Sequence, residues 1–150
     1  MAEGDPFRTL NVRKDVVIAA PVEIAWEATL AQLGPECEMP GGAPFPMTFE
    51  AWPGGRWFRD LGEGVGHLWG HVQVIKPPKL IELCGPMFMS YPAISHVQYR
   101  FSEAPGGSRL ELIHRAMGLI PDDHMASVGE GWQYFVDRIE TIARRRLTSR

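Results

Sequence analysis

The chain has 150 residues, 45% of them hydrophobic and 22% charged, and a formal net charge of −3 at pH 7. That is ordinary globular material, long enough for one domain with its own core, and it lacks the basic face or stripe that a nucleic-acid partner calls for. No stretch approaches the eighteen or so apolar residues of a membrane span, and residues 1–6 lack the charged flank and apolar run of a secretion signal, so a cytoplasmic location is expected. Cys37 and Cys84 are the two cysteines; so few, so far apart, they read as packing thiols rather than a disulfide framework or zinc cluster.

Residues 1–9 are expected to be a flexible lead into the fold. Leu10, Val12, Val16 and Ile18 share one parity, with Arg13 and Asp15 on the other, the alternation of a half-buried first strand. Ala20-Pro21 ends it. Pro21 suits a first helical turn, where its missing N–H has no partner to lose, and Glu23 sits where the helix dipole favours an acid. The helix so begun carries Val22, Ala25, Trp26, Thr29, Leu30 and Leu33 on its apolar face and ends near Gly34-Pro35. Residues 34–46, rich in Gly and Pro, form a connection with room for one further helical turn at 36–38, and a connection of this length is a candidate for function.

The middle of the chain is a meander. Phe45, Met47 and Phe49 alternate with polar residues, Pro53-Gly54-Gly55 turns, residues 56–61 return, and Gly62-Glu63-Gly64 turns again. A longer strand over 65–75 stops at Pro77-Pro78, and Leu80 to Leu83 opens the next before Gly85-Pro86. Val97, Tyr99 and Phe101 oppose His96, Gln98 and Arg100; after a turn at 104–107, Leu110, Leu112 and His114 continue the apolar parity. The last quarter is one amphipathic helix. Its stripe runs through Val128, Trp132, Phe135, Val136, Ile139, Ile142 and Ala143 at steps of three and four. Asp122-Asp123 is expected to cap it, and Arg144, Arg145 and Arg146 to meet the negative end of its dipole. The stripe needs a partner, and the inner face of the sheet is the only apolar surface large enough, so the fold class is α+β with a curved antiparallel sheet gripping a helix.

Several fragments together carry a resemblance. Residues 20–26 (Ala-Pro-Val-Glu-Ile-Ala-Trp), the Pro53-Gly54-Gly55-Arg56-Trp57 turn, residues 70–80 and Gly131-Trp132 are similar to the START-like superfamily, and within it to the branch named for the heat-shock-protein ATPase activator. The resemblance implies a helix-grip fold: seven antiparallel strands around a long C-terminal helix, two short helices after strand one, and a cavity between sheet and helix. It also implies binding of lipids, sterols, polyketides or other apolar small molecules, with cyclisation or hydrolysis in some members.

The chemistry the residues offer is limited. Among five histidines, His114 is the candidate acid or base because its parity aims it at the helix, with Tyr99 on the neighbouring strand. His67 and His71 share a face with Trp69, but four residues along a strand separates them by roughly 13 Å at about 3.3 Å per residue, too far to chelate one ion; no metal and no cofactor are expected. His96 and His124 are expected to face solvent. No serine sits in a nucleophile elbow, Cys84 has no activating partner, and the glycines at 62–66 join two strands instead of opening a helix over a phosphate. The apolar candidates for a ligand site are Met47, Trp57, Trp69, Met87, Tyr99, His114, Met125 and Trp132. Alternation fails at 87–91, Met-Phe-Met-Ser-Tyr, which suggests a pocket rim, a flap or a contact with another subunit. Three readings stand: a binding protein for a small apolar or aromatic molecule, an enzyme using His114 on an apolar substrate, and a homodimeric interaction protein. Gly129 and Gly131 are expected to bend the last helix or let another segment approach it near the cavity mouth, each costing about 1 kcal/mol relative to Ala.

Overall fold

The computed structural model describes residues 6–149. Strands β1 (Phe7–Ile18), β2 (Thr48–Phe49), β3 (Arg56–Gly62), β4 (Val65–Lys76), β5 (Leu80–Gly85), β6 (Ala93–Ala104) and β7 (Gly107–Leu119) form one antiparallel sheet, with helix α1 (Val22–Leu33) after β1 and helix α2 (Asp122–Thr148) at the end. The sheet order is β1-β7-β6-β5-β4-β3-β2. The meander therefore pairs neighbour with neighbour, and only β1 crosses to join β7. This is the helix-grip arrangement, reached because period-two alternation gives the sheet one apolar face and the stripe on α2 is the matching surface.

All seven stripe residues of α2 are buried. They meet Ile81, Leu83, Val97, Tyr99, Leu110 and Leu112, each fully buried on the sheet's inner face. At about 1.5–3 kcal/mol per large side chain taken from water, this interface outweighs every local preference in the chain. The outer face is polar where β1 meets β7, with ion pairs from Arg13 to Glu111 and from Arg109 to Asp15. α1 packs on α2 and is buried nearly all round, Gln32 and Thr29 included. The three arginines near the end of α2 are engaged as ion-pair partners: Arg144 with Glu140, Arg145 with Glu36, and Arg146 with both Glu36 and Glu27.

Four local expectations change. The flexible lead was expected over 1–9; residues 1–5 lie outside the described residues, while β1 already begins at Phe7. The second short helix implied by the resemblance is absent among the described residues. After the turn at 34–36 the backbone folds into a small hairpin-like loop, in which Phe45 N–H bonds to the Cys37 carbonyl and Glu38 bridges Pro44, so groups a helix would have paired are satisfied across the loop. Neither Asp122 nor Asp123 is the N-cap of α2, which is Pro121; both acids lie in the first turn, where their charge favours the dipole and Asp123 Oδ1 accepts the His124 N–H at 3.0 Å. His71 does not share a face with His67 and Trp69. The register shift between Trp57 and Phe58 opposite β4 breaks the alternation, so Trp69 and Gly70 are both buried and His71 is exposed.

One contact locks the sheet's far side to α1. Trp57 is buried and its indole N–H donates to the Leu33 carbonyl at 2.7 Å, satisfying one of the orphan carbonyls at the end of α1. Trp57→Phe should cost about 2 kcal/mol, since the carbonyl stays buried and loses its donor. Urea denaturation would show this as a lowered midpoint at unchanged slope; an unchanged midpoint would mean that the bond contributes nothing.

Candidate functional site

The first turns of α2 do not close fully on the sheet. A cleft of about 480 Å³ opens there, walled by His124, Val128, Gly131 and Phe135 of α2, by Trp69 of β4 and by Phe88, with Met39 and Pro40 of the 34–46 connection at its edge. Its wall is mostly apolar, with Ser127 and Glu130 at the rim. Two depressions of similar size, about 500 and 460 Å³, lie on the outer face around Ile94 and Met117 and at the sheet end around Ala20 and Gly107. Neither is lined by any residue from the first turns of α2. The first cleft lies where the sheet and the first turns of α2 part.

The segment that follows β5 builds the cleft's inner wall. Gly70 and Gly85 let β4 and β5 approach closely: a Cβ at Gly70 would stand 2.6 Å from the Cys84 carbonyl, and Gly85 has φ +148°. Met87 then sits in the left-handed region at φ 59°, fully buried, its N–H donating to the Trp69 carbonyl at 2.6 Å. Met89 is also buried. Between these anchors Phe88 is only half-buried and reaches toward α2. Its ring lies 5.4 Å from His124, 5.6 Å from Trp69, 5.8 Å from Trp132 and 6.2 Å from His114, the separations at which aromatic rings attract one another.

Beneath Phe88 runs a buried polar chain whose direction the donors fix. The Trp132 indole N–H donates to His114 Nδ1 at 2.7 Å, so Nδ1 carries no proton. The proton of the neutral ring is therefore on Nε2, which donates to Ser95 Oγ at 2.8 Å. The serine hydroxyl in turn points at the Met89 sulfur, 3.9 Å away. Burial, with a smaller contribution from His124, lowers the His114 pKa to about 4. A neutral imidazole with both nitrogens committed is a structural joint between α2, β7 and β6. His124 is different: it is half-buried at the cleft, and its Nδ1 bonds to the Tyr91 hydroxyl, tying the 86–92 segment to α2. Its pKa is lowered by burial, against a raising influence from Asp123.

The residues expected to contact a ligand separate into three groups. Trp69 lines the cleft. Trp132 and His114 lie directly under Phe88, with Tyr99 behind Trp132 at a ring separation of 6.4 Å. Met47, Trp57 and Met87 are buried core residues, with the Trp57 ring 5.0 Å from that of Trp69, and Met125 is half-buried at the core's margin. The Tyr99 hydroxyl is fully buried with no hydrogen-bond partner among the described residues, and burial raises its pKa strongly. Among the described residues no three His, Cys, Asp or Glu side chains gather as a metal would require.

Phe88, His124, Val128 and Phe135 were not among the expected ligand contacts. His124 had a signal: it stands four residues before Val128 and eight before Trp132, on the same helical stripe. The glycines behave differently from expectation. α2 runs unbroken through both, and a Cβ at Gly129 or Gly131 would meet nothing within 4 Å, so no segment approaches them closely. Gly131 instead lines the cleft. Its missing side chain is part of the cleft's room.

No curated protein matches the chain at a significant level. Among solved structures, one from Rhizobium leguminosarum superposes with a TM-score of 0.69 at 17% identity, over 93% of this chain and 97% of that one. CalU16 from Micromonospora echinospora gives 0.60 at 18%, over 96% and 90%. Ara h 8.0201 gives 0.65 at 14%, over 92% and 99%. At such identities the likeness is one of fold. The sequence itself goes further, because residues 42–144 match the model of the family described as Activator of Hsp90 ATPase homolog 1-like protein. That span covers β2 to β7 and most of α2, including every cleft residue from Trp69 onward, and the chain belongs to that family.

Proposed function

We propose that this protein binds a small apolar or aromatic molecule in the cleft between the sheet and the first turns of α2. The observation that carries the reading is the cleft's construction: about 480 Å³ of space walled by Trp69, Phe88, Val128 and Phe135, opened by a helix position with no side chain. Small-molecule sites combine such walls with a few placed polar groups, and His124 and Ser127 are placed at this one. Catalysis through His114 is not favoured, since neither nitrogen is free to exchange a proton with a substrate. Joining of two copies through residues 87–91 is not favoured either, because Met87 and Met89 are 0% and 2% exposed and the part-exposed Phe88 and Tyr91 are engaged with His124 of α2. No helix among the described residues is long and apolar enough to cross a membrane. A cytoplasmic setting is part of the proposal, supported by two cysteines that are both free.

The test uses N-phenyl-1-naphthylamine, an uncharged aromatic probe whose emission rises in apolar surroundings. Saturable one-to-one binding is expected. Gly131→Leu should weaken it by about tenfold or more while stabilising α2 by up to about 1 kcal/mol, since leucine is the better helix former and its side chain enters open space. Emission that rises without saturating, or binding that is indifferent to Gly131→Leu, would place the molecule elsewhere or nowhere.

A further inference from the structure

We propose that Phe88 is an internal plug: its ring occupies the innermost part of the cleft, and a ligand's aromatic ring takes that place when Phe88 rotates outward. The proposal rests on the cleft being the binding site. In the described structure a phenyl ring is already held between His124, Trp69, Trp132 and His114 at 5.4–6.2 Å. A cage of four rings around a fifth is a site for an aromatic group, and here the chain supplies its own.

Three features make Phe88 a plug rather than a core residue. It is half-buried and lines the cleft, whereas Met87 and Met89 on either side are buried. Its neighbours are anchored independently: Met87 by its N–H on the Trp69 carbonyl, and Met89 by its N–H on the Pro86 carbonyl and the burial of its side chain. Rotation about the Phe88 Cα–Cβ bond therefore moves the ring without unfolding the segment, and the far end stays tied to α2 through Tyr91 and His124. Third, Met87 holds a left-handed backbone although it is not glycine. A bulky residue stays in that region only where its surroundings dictate it, and the result is to set where the next side chain points.

The geometry also selects the ligand class. Vacating the ring's place extends the cleft down to the edges of Trp132 and His114, deep enough for a flat ring of phenyl or indole size with the rest of the molecule lying toward Gly131. Glu130 stands at the rim, and among the cleft-lining residues there is no lysine or arginine, so an anionic tail is disfavoured. The class is an uncharged, flat aromatic molecule of two or three rings.

The experiment measures N-phenyl-1-naphthylamine affinity for the wild type, Phe88→Ala, Phe88→Trp and Phe88→Ala combined with Gly131→Leu. Removing the competing ring should tighten binding by about tenfold, the larger plug should weaken it by a similar factor, and Gly131→Leu should abolish the gain. The sulfonated analogue 1-anilinonaphthalene-8-sulfonate should bind Phe88→Ala at least about fivefold more weakly than the uncharged probe, because its charge meets Glu130. If Phe88→Ala does not fold, Phe88→Leu takes its place. A second readout needs no cavity-forming change: with 4-fluorophenylalanine at the seven phenylalanines and the residue 88 signal identified by its loss in Phe88→Leu, saturating probe should move that ¹⁹F resonance out of its ring-current-shifted position. Equal affinities for the wild type and both Phe88 variants, with Gly131→Leu still blocking, would overturn the plug and leave the cleft reading standing. Binding by none of them would overturn both. An unmoved ¹⁹F signal at saturation would overturn the plug alone.

Discussion

Replacing His114 with phenylalanine should destabilise the fold by about 3 kcal/mol, although the substitution keeps an aromatic ring of similar size in the same place. The loss is polar. Trp132 is fully buried, and its indole N–H has His114 Nδ1 as acceptor; without it, a buried donor is stranded at a cost of about 1–3 kcal/mol. Ser95, 3% exposed, loses the Nε2 donor in the same change and keeps only a weak sulfur contact. A double-mutant cycle separates these effects from packing. Trp132→Phe removes the donor itself, so His114→Phe on that background should cost less, by about 1–2 kcal/mol, than it does in the wild type. Urea denaturation of the four proteins provides the numbers. Strict additivity would show that the indole–imidazole bond is not what the histidine contributes, and a His114→Phe protein as stable as the wild type would show that the buried chain is dispensable.

The same residue shows how far sequence alone reaches. Parity along β7 was enough to aim His114 inward, because Leu110, Leu112 and His114 alternate strictly and the fold offers one apolar face. What parity does not contain is the partner on each nitrogen. Trp132 meets His114 only because α2 crosses the sheet at that height, and Ser95 meets it because β6 and β7 pair in the observed register; both are tertiary facts. The stripe on α2 was legible for a similar reason. Burial of its apolar face dominates the energetics, so periodicity and packing agree. Where the reading failed, smaller effects decided: a register shift opposite β4 reversed His71, and a loop that satisfied its own backbone replaced a short helix near Glu36.

The cleft was partly legible and its plug was not. Trp69 was an expected contact and Gly131 was expected near the cavity mouth, and the cleft is lined by both, because a helix position with no side chain leaves surface uncovered. Phe88 offered only broken alternation within residues 87–91. Broken alternation says that a segment is not a plain strand, but it does not say that the first and third residues will be buried as anchors while the second turns to the helix. That outcome depends on the positive φ of Met87 and on the close approach of Gly70 and Gly85, and residue types alone show neither. Met47, Trp57 and Met87 were assigned to the site by size and polarisability, properties that a core requires equally.

Acid should weaken the protein through His114, and this is the second large effect. Unfolded, the imidazole takes up a proton near its ordinary pKa of 6.5; folded, burial holds its pKa at about 4. Between these values the unfolded chain binds more protons than the native one, so stability rises with pH and falls as pH drops. Above pH 6.5 the contribution is complete, from 6.5 down to 4 it is progressively lost, and below 4 both states are protonated and nothing further changes. The difference between 6.5 and about 4 is 2.5 units, and at 1.36 kcal/mol per unit this amounts to about 3 kcal/mol. Asp15 and Glu50 also have lowered pKa values, from their bonds to Arg109 and Arg56, and His124 has one from burial; all three remain in His114→Phe and cancel when the two proteins are compared, apart from the smaller influence of His124 on His114. The wild type's advantage over His114→Phe, about 3 kcal/mol at neutral pH, should therefore shrink toward zero by pH 4. Unfolding free energies of both proteins at pH 7.5, 6, 5 and 4 would show the two curves converging. Parallel curves would mean that the imidazole takes up its proton in the folded state, and the neutral tautomer fixed by Trp132 and Ser95 would then be wrong.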